Sequence, residues 1–153
     1  RRVLLALSET VGTRLRGGNV KAKTVSVGIK SFDFQYASHQ MILANATNLT
    51  REIYEYSGCL LDQLWDGKTP IRHLGLYASR LEEGAAVRQL ELFDETDYEK
   101  LERLDRAVDE IRKKHGIDAV KRAAFLSGPP IDHMEGGVSR EKRTVDYQKL
   151  GLI

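Results

Sequence analysis

Gln89-Leu90-Glu91-Leu92-Phe93 places an amide, two leucines and a terminal phenylalanine within five residues. This is recognition chemistry. In an extended segment the Gln89 amide can hydrogen-bond a pocket rim while Leu92 and Phe93, with Leu90 beside them, fill an apolar pocket on a partner. The competing reading packs the same apolar side chains on the chain's own core. Catalytic chemistry has weaker candidates. Asp132-His133-Met134-Glu135 brings three potential ligands together, but a zinc site needs more convergent donors than that. There is no phosphate loop, no HExxH and no CxxC, and His39 and His115 have no evident partner.

Composition bounds the setting. The 153 residues are 41% hydrophobic and 30% charged, suited to a globular chain with one core. No run nears the length of a membrane-spanning helix. The chain starts Arg1-Arg2 inside a helical pattern, as expected of a piece of a larger protein. Without an apolar leader, and with Cys59 alone, a reducing cytoplasm is the expected compartment. Cys59 is expected to be a small core residue. The net charge of +2 hides an asymmetry: residues 1–88 carry 12 Lys and Arg against 8 Asp and Glu, and residues 89–153 carry 12 against 14. A mildly basic first part suits a nucleic-acid surface.

The elements that must position these groups follow from periodicity. Leu4, Leu7, Val11 and Leu15 form one helical stripe over 1–16, closed by Gly17-Gly18-Asn19. Val25, Val27 and Ile29 alternate with Thr24, Ser26, Gly28 and Lys30, a strand with one apolar and one small, polar face. Residues 31–35 carry a turn into a second strand at about 37–43, with Met41 and Leu43 inward and Ser38, Gln40 and Ile42 outward. Thr50 or Asn48 is expected to cap a helix over 51–65. A third strand, 71–81, turns Leu74, Leu76 and Ala78 inward and His73, Gly75, Tyr77 and Ser79 outward. Gly28 and Gly75 both face outward, where another backbone can approach. The fold class is α+β: a small antiparallel sheet with two helices on one face. Residues 82–95 read as a linker holding the anchor. A tail over 96–126 has one long helix, with Leu101, Leu104, Val108 and Ile111 as its stripe, and a short helix at 118–126. Residues 127–153 read as irregular.

Residues 1–93 resemble the little-finger domain of Y-family translesion DNA polymerases. The resembling pieces are Leu15-Arg16, Thr24-Val25-Ser26-Val27, Lys30 with Phe34, and Ile71-Arg72-His73-Leu74-Gly75-Leu76, followed by the Gln89–Phe93 anchor. Residues 98–126, with Ala107-Val108-Asp109-Glu110-Ile111-Arg112 and His115-Gly116, are similar to the tail of DNA polymerase IV and UmuC-like members. The pentapeptide itself resembles the one with which bacterial DNA polymerases bind the sliding clamp. The family's sheet has four strands. Only three are found here, so the first is expected to be missing, which leaves an unpaired edge open to self-pairing.

The resemblance implies DNA contacts on outward strand positions. These are Thr24, Ser26 and Lys30 on the first strand, Ser38 and Gln40 on the second, and His73, Tyr77 and Ser79 on the third. Arg72 is adjacent but of opposite parity. Several relatives carry arginines on that last strand, so phosphate contact is expected to be weaker here. The implied function is that of a fragment of an error-prone polymerase in DNA repair and the SOS response. It would hold damaged template-primer DNA by its backbone and tether to the clamp through Gln89, Leu90, Leu92 and Phe93. Magnesium would serve the parent enzyme, whose palm motifs have no match in this sequence. Neither catalytic residues nor a cofactor are expected in the fragment, nor a membrane partner. Two alternatives stand beside it: a non-catalytic adaptor between clamp and repair proteins, and a helical oligomerisation module built on the 98–112 stripe.

Overall fold

In the computed structural model, residues 1–83 and 96–126 are described. The elements run α1 (Arg2–Gly17), β1 (Val20–Ser31), β2 (Tyr36–Thr47), α2 (Thr50–Leu64), β3 (Ile71–Glu83) and α3 (Tyr98–His115), then single 3-10 turns at Ile117–Ala119 and Ala123–Phe125. The three strands form one antiparallel sheet in the order β2-β1-β3. Both α1 and α2 pack against it and against each other. The plan is α+β, as expected.

The core lies between sheet and helices. Leu4, Leu7 and Leu15 of α1 and Ile53, Leu60 and Leu61 of α2 meet Val25, Val27, Ile29, Leu43 and Leu76 of the strands. These are the stripes read from the sequence, and each fully buried side chain of this kind contributes about 1.5–3 kcal/mol. Gly12 sets the distance between the helices. A Cβ there would stand 2.8 Å from the Thr50 hydroxyl and 2.9 Å from Arg16 Nη1.

Cys59 is exposed, not in the core. At about 100° per residue it falls on the far side of α2 from Ile53, Ser57, Leu60 and Leu61. At the end of α1 it is Asn19, with φ 51°, that takes the left-handed conformation, while Gly18 stays at φ −86°. Leu49 occupies the N-cap of α2, and neither Thr50 nor Asn48 caps it through its own side chain. The Thr47 hydroxyl accepts from the Leu49 N–H, and Asp105 of α3 accepts from the Thr50 N–H.

The tail folds back on α1 through a set of charge pairs. Leu101 and Val108 are half-buried, whereas Leu104 and Ile111 are exposed. Between them run Arg16–Asp105 (3.0 Å), Arg16–Asp109 (2.5 Å), Arg112–Glu9 (3.2 Å) and Arg122–Glu9 (2.7 Å). The side chains of Arg16 and Glu9 are each only 5% exposed. The helix expected at 118–126 is two separate turns. Arg112 donates from Nε and Nη2 to the Val120 carbonyl (3.0 and 2.8 Å), so that carbonyl is held outside any helical ladder, and Val120 is extended. β3 continues to Glu83, two residues into the expected linker. The anchor, Asp132–Glu135 and the irregular tail lie outside the described residues.

Candidate nucleic-acid interface

Among the described residues the helices cover one face of the sheet and leave the other open, and the strand register arranges the side chains of that open face in rows. Gln40, Ser26 and Tyr77 stand side by side across β2, β1 and β3. The next row is Ser38, Gly28 and Gly75. After it come Tyr36, Lys30 and His73, at the end nearest the β1–β2 turn. Of the sequence-derived contact residues, Ser38, Gln40, His73, Tyr77 and Ser79 are exposed, and Ser26 and Lys30 are half-buried.

Thr24 is placed differently. It is 3% exposed, and its hydroxyl has no hydrogen-bond partner among the described residues. The β1–β2 register shifts between Ala22 and Thr24, and Ala22, Thr24 and Val25 are all buried. The extra residues of that shift lie in β2, where Ile42 to Thr47 stands against Ala22 to Thr24, and Thr24 keeps its pairing with Ser79 of β3, so it holds the position that parity assigns but is closed off from solvent.

The middle row is not free for an approaching backbone. Tyr36 and Tyr77 lie over it, one ring from each end of the sheet. A Cβ on Gly28 would stand 2.6 Å from the Tyr36 hydroxyl, and one on Gly75 would stand 2.8 Å from the Tyr77 hydroxyl. The glycines therefore make a floor for two phenol rings that remain 61% and 52% exposed. An aromatic laid over a strand glycine restores the cross-strand packing that the glycine lacks.

At the turn end, the structure brings Lys30 and Arg72 together. Their register neighbours show how. Lys30 pairs with His73 but Ser31 pairs with Ile71, so Arg72 is the extra residue of a bulge. Its guanidinium carbon lies 4.8 Å from the centre of the Phe34 ring, and Lys30 Nζ lies 5.0 Å from the same centre. Simple alternation assigns Arg72 to the helix-covered face. The bulge re-aims it, and no signal in the strand pattern marks that. Phe34, which reads only as an apolar turn residue, is the group both cations share.

Cations, hydroxyls, an amide and phenols spread over a sheet without a cleft suit an extended polyanion better than a small substrate. Among the described residues no cluster of three or more His, Cys, Asp or Glu is placed to hold a metal ion.

Residues 1–92 match the impB/mucB/samB family C-terminal domain. The chain belongs to that family. The curated relatives it matches include several DNA polymerases IV. That of Clostridium acetobutylicum is 39% identical over 125 residues, covering 82% of this chain and 31% of the relative. The DNA polymerase IV 2 of Bacillus subtilis is 40% identical over 128 residues, covering 82% and 30%. That of Acetivibrio thermocellus is 35% identical over 125 residues, covering 81% and 31%. The chain thus spans just under a third of the length of these relatives. The Y-family polymerase resemblance read from Thr24–Val27, Lys30, Phe34 and Ile71–Leu76 is the relationship these matches return. In this impB/mucB/samB C-terminal domain, the uncovered sheet face and the charge-docked tail are separate surfaces, on opposite sides of the core.

Proposed function

We propose that this domain holds template-primer DNA by its sugar-phosphate backbone, as the C-terminal part of a translesion DNA polymerase IV acting in the cytoplasm. One observation supports this above the rest: the register lines up Ser26, Lys30, Ser38, Gln40, His73, Tyr77 and Ser79 on one uncovered face, with Arg72 re-aimed beside Lys30. Hydroxyls and an amide donate to phosphate oxygens without reading sequence, and the two cations add a salt-dependent attraction. Thr24 is left out of this contact set because it is buried. The catalytic carboxylates and their magnesium belong to the rest of the polymerase. Gln89, Leu90, Leu92 and Phe93 tether it to the sliding clamp, which raises the local concentration of the polymerase at primer ends without new DNA contacts.

The test is fluorescence anisotropy of a labelled template-primer duplex, titrated with the 153-residue chain at several salt concentrations. Binding is expected to be sequence-independent and to fall linearly in log K against log salt. Replacing both Lys30 and Arg72 with Ala should flatten that slope by up to about 2, since each lost phosphate contact removes roughly 0.9. Duplex affinity that ignores both salt and the double substitution would refute the reading.

A further inference from the structure

The Phe34 ring does more than fill a turn. Its backbone sits at φ 68°, in the left-handed region. For a bulky residue that conformation is uncommon and strained. The surrounding turn is over-determined. The Phe34 N–H donates to the Ser31 carbonyl (3.1 Å), and the Ser31 N–H donates to the Gln35 carbonyl (2.9 Å). The one proton of the Ser31 hydroxyl is shared between Asp33 Oδ1 (2.5 Å) and the Gln35 carbonyl (3.1 Å). The Phe32 N–H reaches across to the Pro70 carbonyl (3.0 Å), which ties the turn to the start of β3, two residues before Arg72. Strain held in place by so many bonds marks a conformation kept for what it positions.

What it positions is charge. The ring stays 59% exposed, so it is not kept for burial. Lys30 arrives from β1 and Arg72 from the bulge in β3, and each cation lies within cation–π range of the one ring. Two like charges brought together repel, and an anion between them relieves that repulsion. A glycine at this position would meet the backbone requirement without strain but would hold neither cation.

We infer that Phe34 is a positioning residue which holds Lys30 and Arg72 as a two-cation clamp for a backbone phosphate at the turn end of the sheet. This rests on the proposal that the uncovered face binds nucleic acid, and it names a residue that acts there without contributing charge. The ring fixes the directions of two long side chains that would otherwise lose rotamer freedom on binding. The phosphodiester then meets cations already in place.

The experiment compares Phe34→Gly, Phe34→Leu and Lys30→Ala, alone and as the pair Phe34→Gly/Lys30→Ala, in the 153-residue chain. The readouts are thermal stability and binding to a labelled template-primer duplex across a salt series. Phe34→Gly should keep or raise the melting temperature because it removes the left-handed strain. Its duplex affinity should nonetheless fall, roughly three- to tenfold, with a flatter salt slope. Phe34→Leu should lose affinity to a similar extent without the gain in stability. Lys30→Ala should cost less in the Phe34→Gly background than in the wild type.

Wild-type affinity and slope in both Phe34 variants overturns the clamp. So do losses from Lys30→Ala and Phe34→Gly that simply add. A fall in melting temperature for Phe34→Gly also overturns it, because the turn would then be a structural element alone. If Lys30→Ala weakens duplex binding and the Phe34 variants do not, the nucleic-acid face stands and only the clamp falls. If Lys30→Ala also leaves binding unchanged, the clamp falls, and the nucleic-acid face falls with it when binding ignores salt and the Lys30/Arg72 double substitution as well.

Discussion

The Thr50 backbone N–H donates to Asp105 Oδ2 at 2.9 Å, so the first turn of α2 is capped by a residue of α3 that lies 55 positions away. The same carboxylate oxygen pairs with Arg16 of α1 at 3.0 Å. A single side chain thus closes a helix N-terminus and joins the tail to both helices of the domain. Removing it should affect all three at once. Asp105→Ala is expected to lower stability by about 1–3 kcal/mol, measured as a shift in the urea midpoint. Asp105→Asn keeps an acceptor near Thr50 but loses the charge, so it should fall between Ala and wild type. If Asp105→Ala leaves the midpoint in place, the tail is not docked as described.

Arg16 is the centre of that junction. It reaches Asp105, Asp109 (2.5 Å from Nε), the Asn48 carbonyl (2.7 Å) and the Thr50 hydroxyl (3.2 Å). A charge so enclosed is stabilised only while all its partners remain. Arg16→Met takes the nearest cation from two carboxylates, leaving Asp105 with the Thr50 N–H and Asp109 with the Thr13 hydroxyl, and should cost about 3 kcal/mol. The triple variant Arg16→Met/Asp105→Leu/Asp109→Leu removes both the charges and their desolvation, and should recover much of that loss apart from the Asp105 cap. Denaturation of the single and triple variants decides it: a triple variant no better than Arg16→Met would show that the network adds net stability.

The glycine floor makes a sharper prediction for the sheet. Gly28→Val adds atoms where the Tyr36 ring lies, and the ring must move. The expected cost is about 1–3 kcal/mol, the usual range for overpacking. Tyr36→Ser should largely rescue it by vacating the space, so that Gly28→Val is nearly neutral in a Tyr36→Ser background. A double-mutant cycle on thermal stability measures the coupling. Simple additivity would mean that ring and glycine do not share the space.

Val25, Val27 and Ile29 alternate with Ser26, Gly28 and Lys30 over an undistorted stretch of β1, so both faces of the sheet followed from parity alone. At Arg72 the parity argument failed because that residue is the extra one of a bulge, which depends on pairing geometry that composition does not encode; at Thr24 the pairing with Ser79 follows parity, and it is the burial that the strand pattern does not mark. The docking of α3 was beyond the sequence for another reason. Leu101, Leu104, Val108 and Ile111 have helical spacing, but the docked face is set by Asp105, Asp109 and Arg112, whose partners Glu9 and Arg16 lie far away in sequence. Apolar periodicity cannot reveal a face selected by charge.

Asp66 provides a pH-dependent test. It accepts from the N–H groups of Lys68 (2.9 Å) and Thr69 (2.8 Å) and from the Thr69 hydroxyl (2.7 Å) in the connection between α2 and β3. These bonds, that from Lys68 first, hold its carboxyl below the usual aspartate value. A depressed folded pKa means the stabilisation is fully present above the unfolded value, about 4, and is lost as pH falls through the lower folded value. Asp66→Ala should therefore melt earlier than wild type at pH 7, with the gap shrinking in acid. Melting curves from pH 7 down to pH 2 check it. A gap that stays constant across that range would show that the charge is irrelevant.

The anchor can be tested separately from the sheet. Leu92→Ala/Phe93→Ala deletes the apolar groups proposed to fill a clamp pocket, and anchors of this kind carry most of a small interface's energy. A loss of about 2–4 kcal/mol corresponds to a clamp affinity weakened roughly 30-fold or more. Duplex DNA affinity should not change, because Lys30, Arg72 and the strand hydroxyls are untouched. Gln89→Ala should have a smaller effect, since it removes one hydrogen bond at the rim and no apolar contact. Surface-bound clamp titrated with each variant, beside the duplex anisotropy assay, separates the two activities. Unchanged clamp affinity in the Leu92/Phe93 variant would refute the tether while leaving the DNA face standing. Losses in both assays together would instead point to packing of Leu92 and Phe93 on the domain itself, the competing reading of the same five residues.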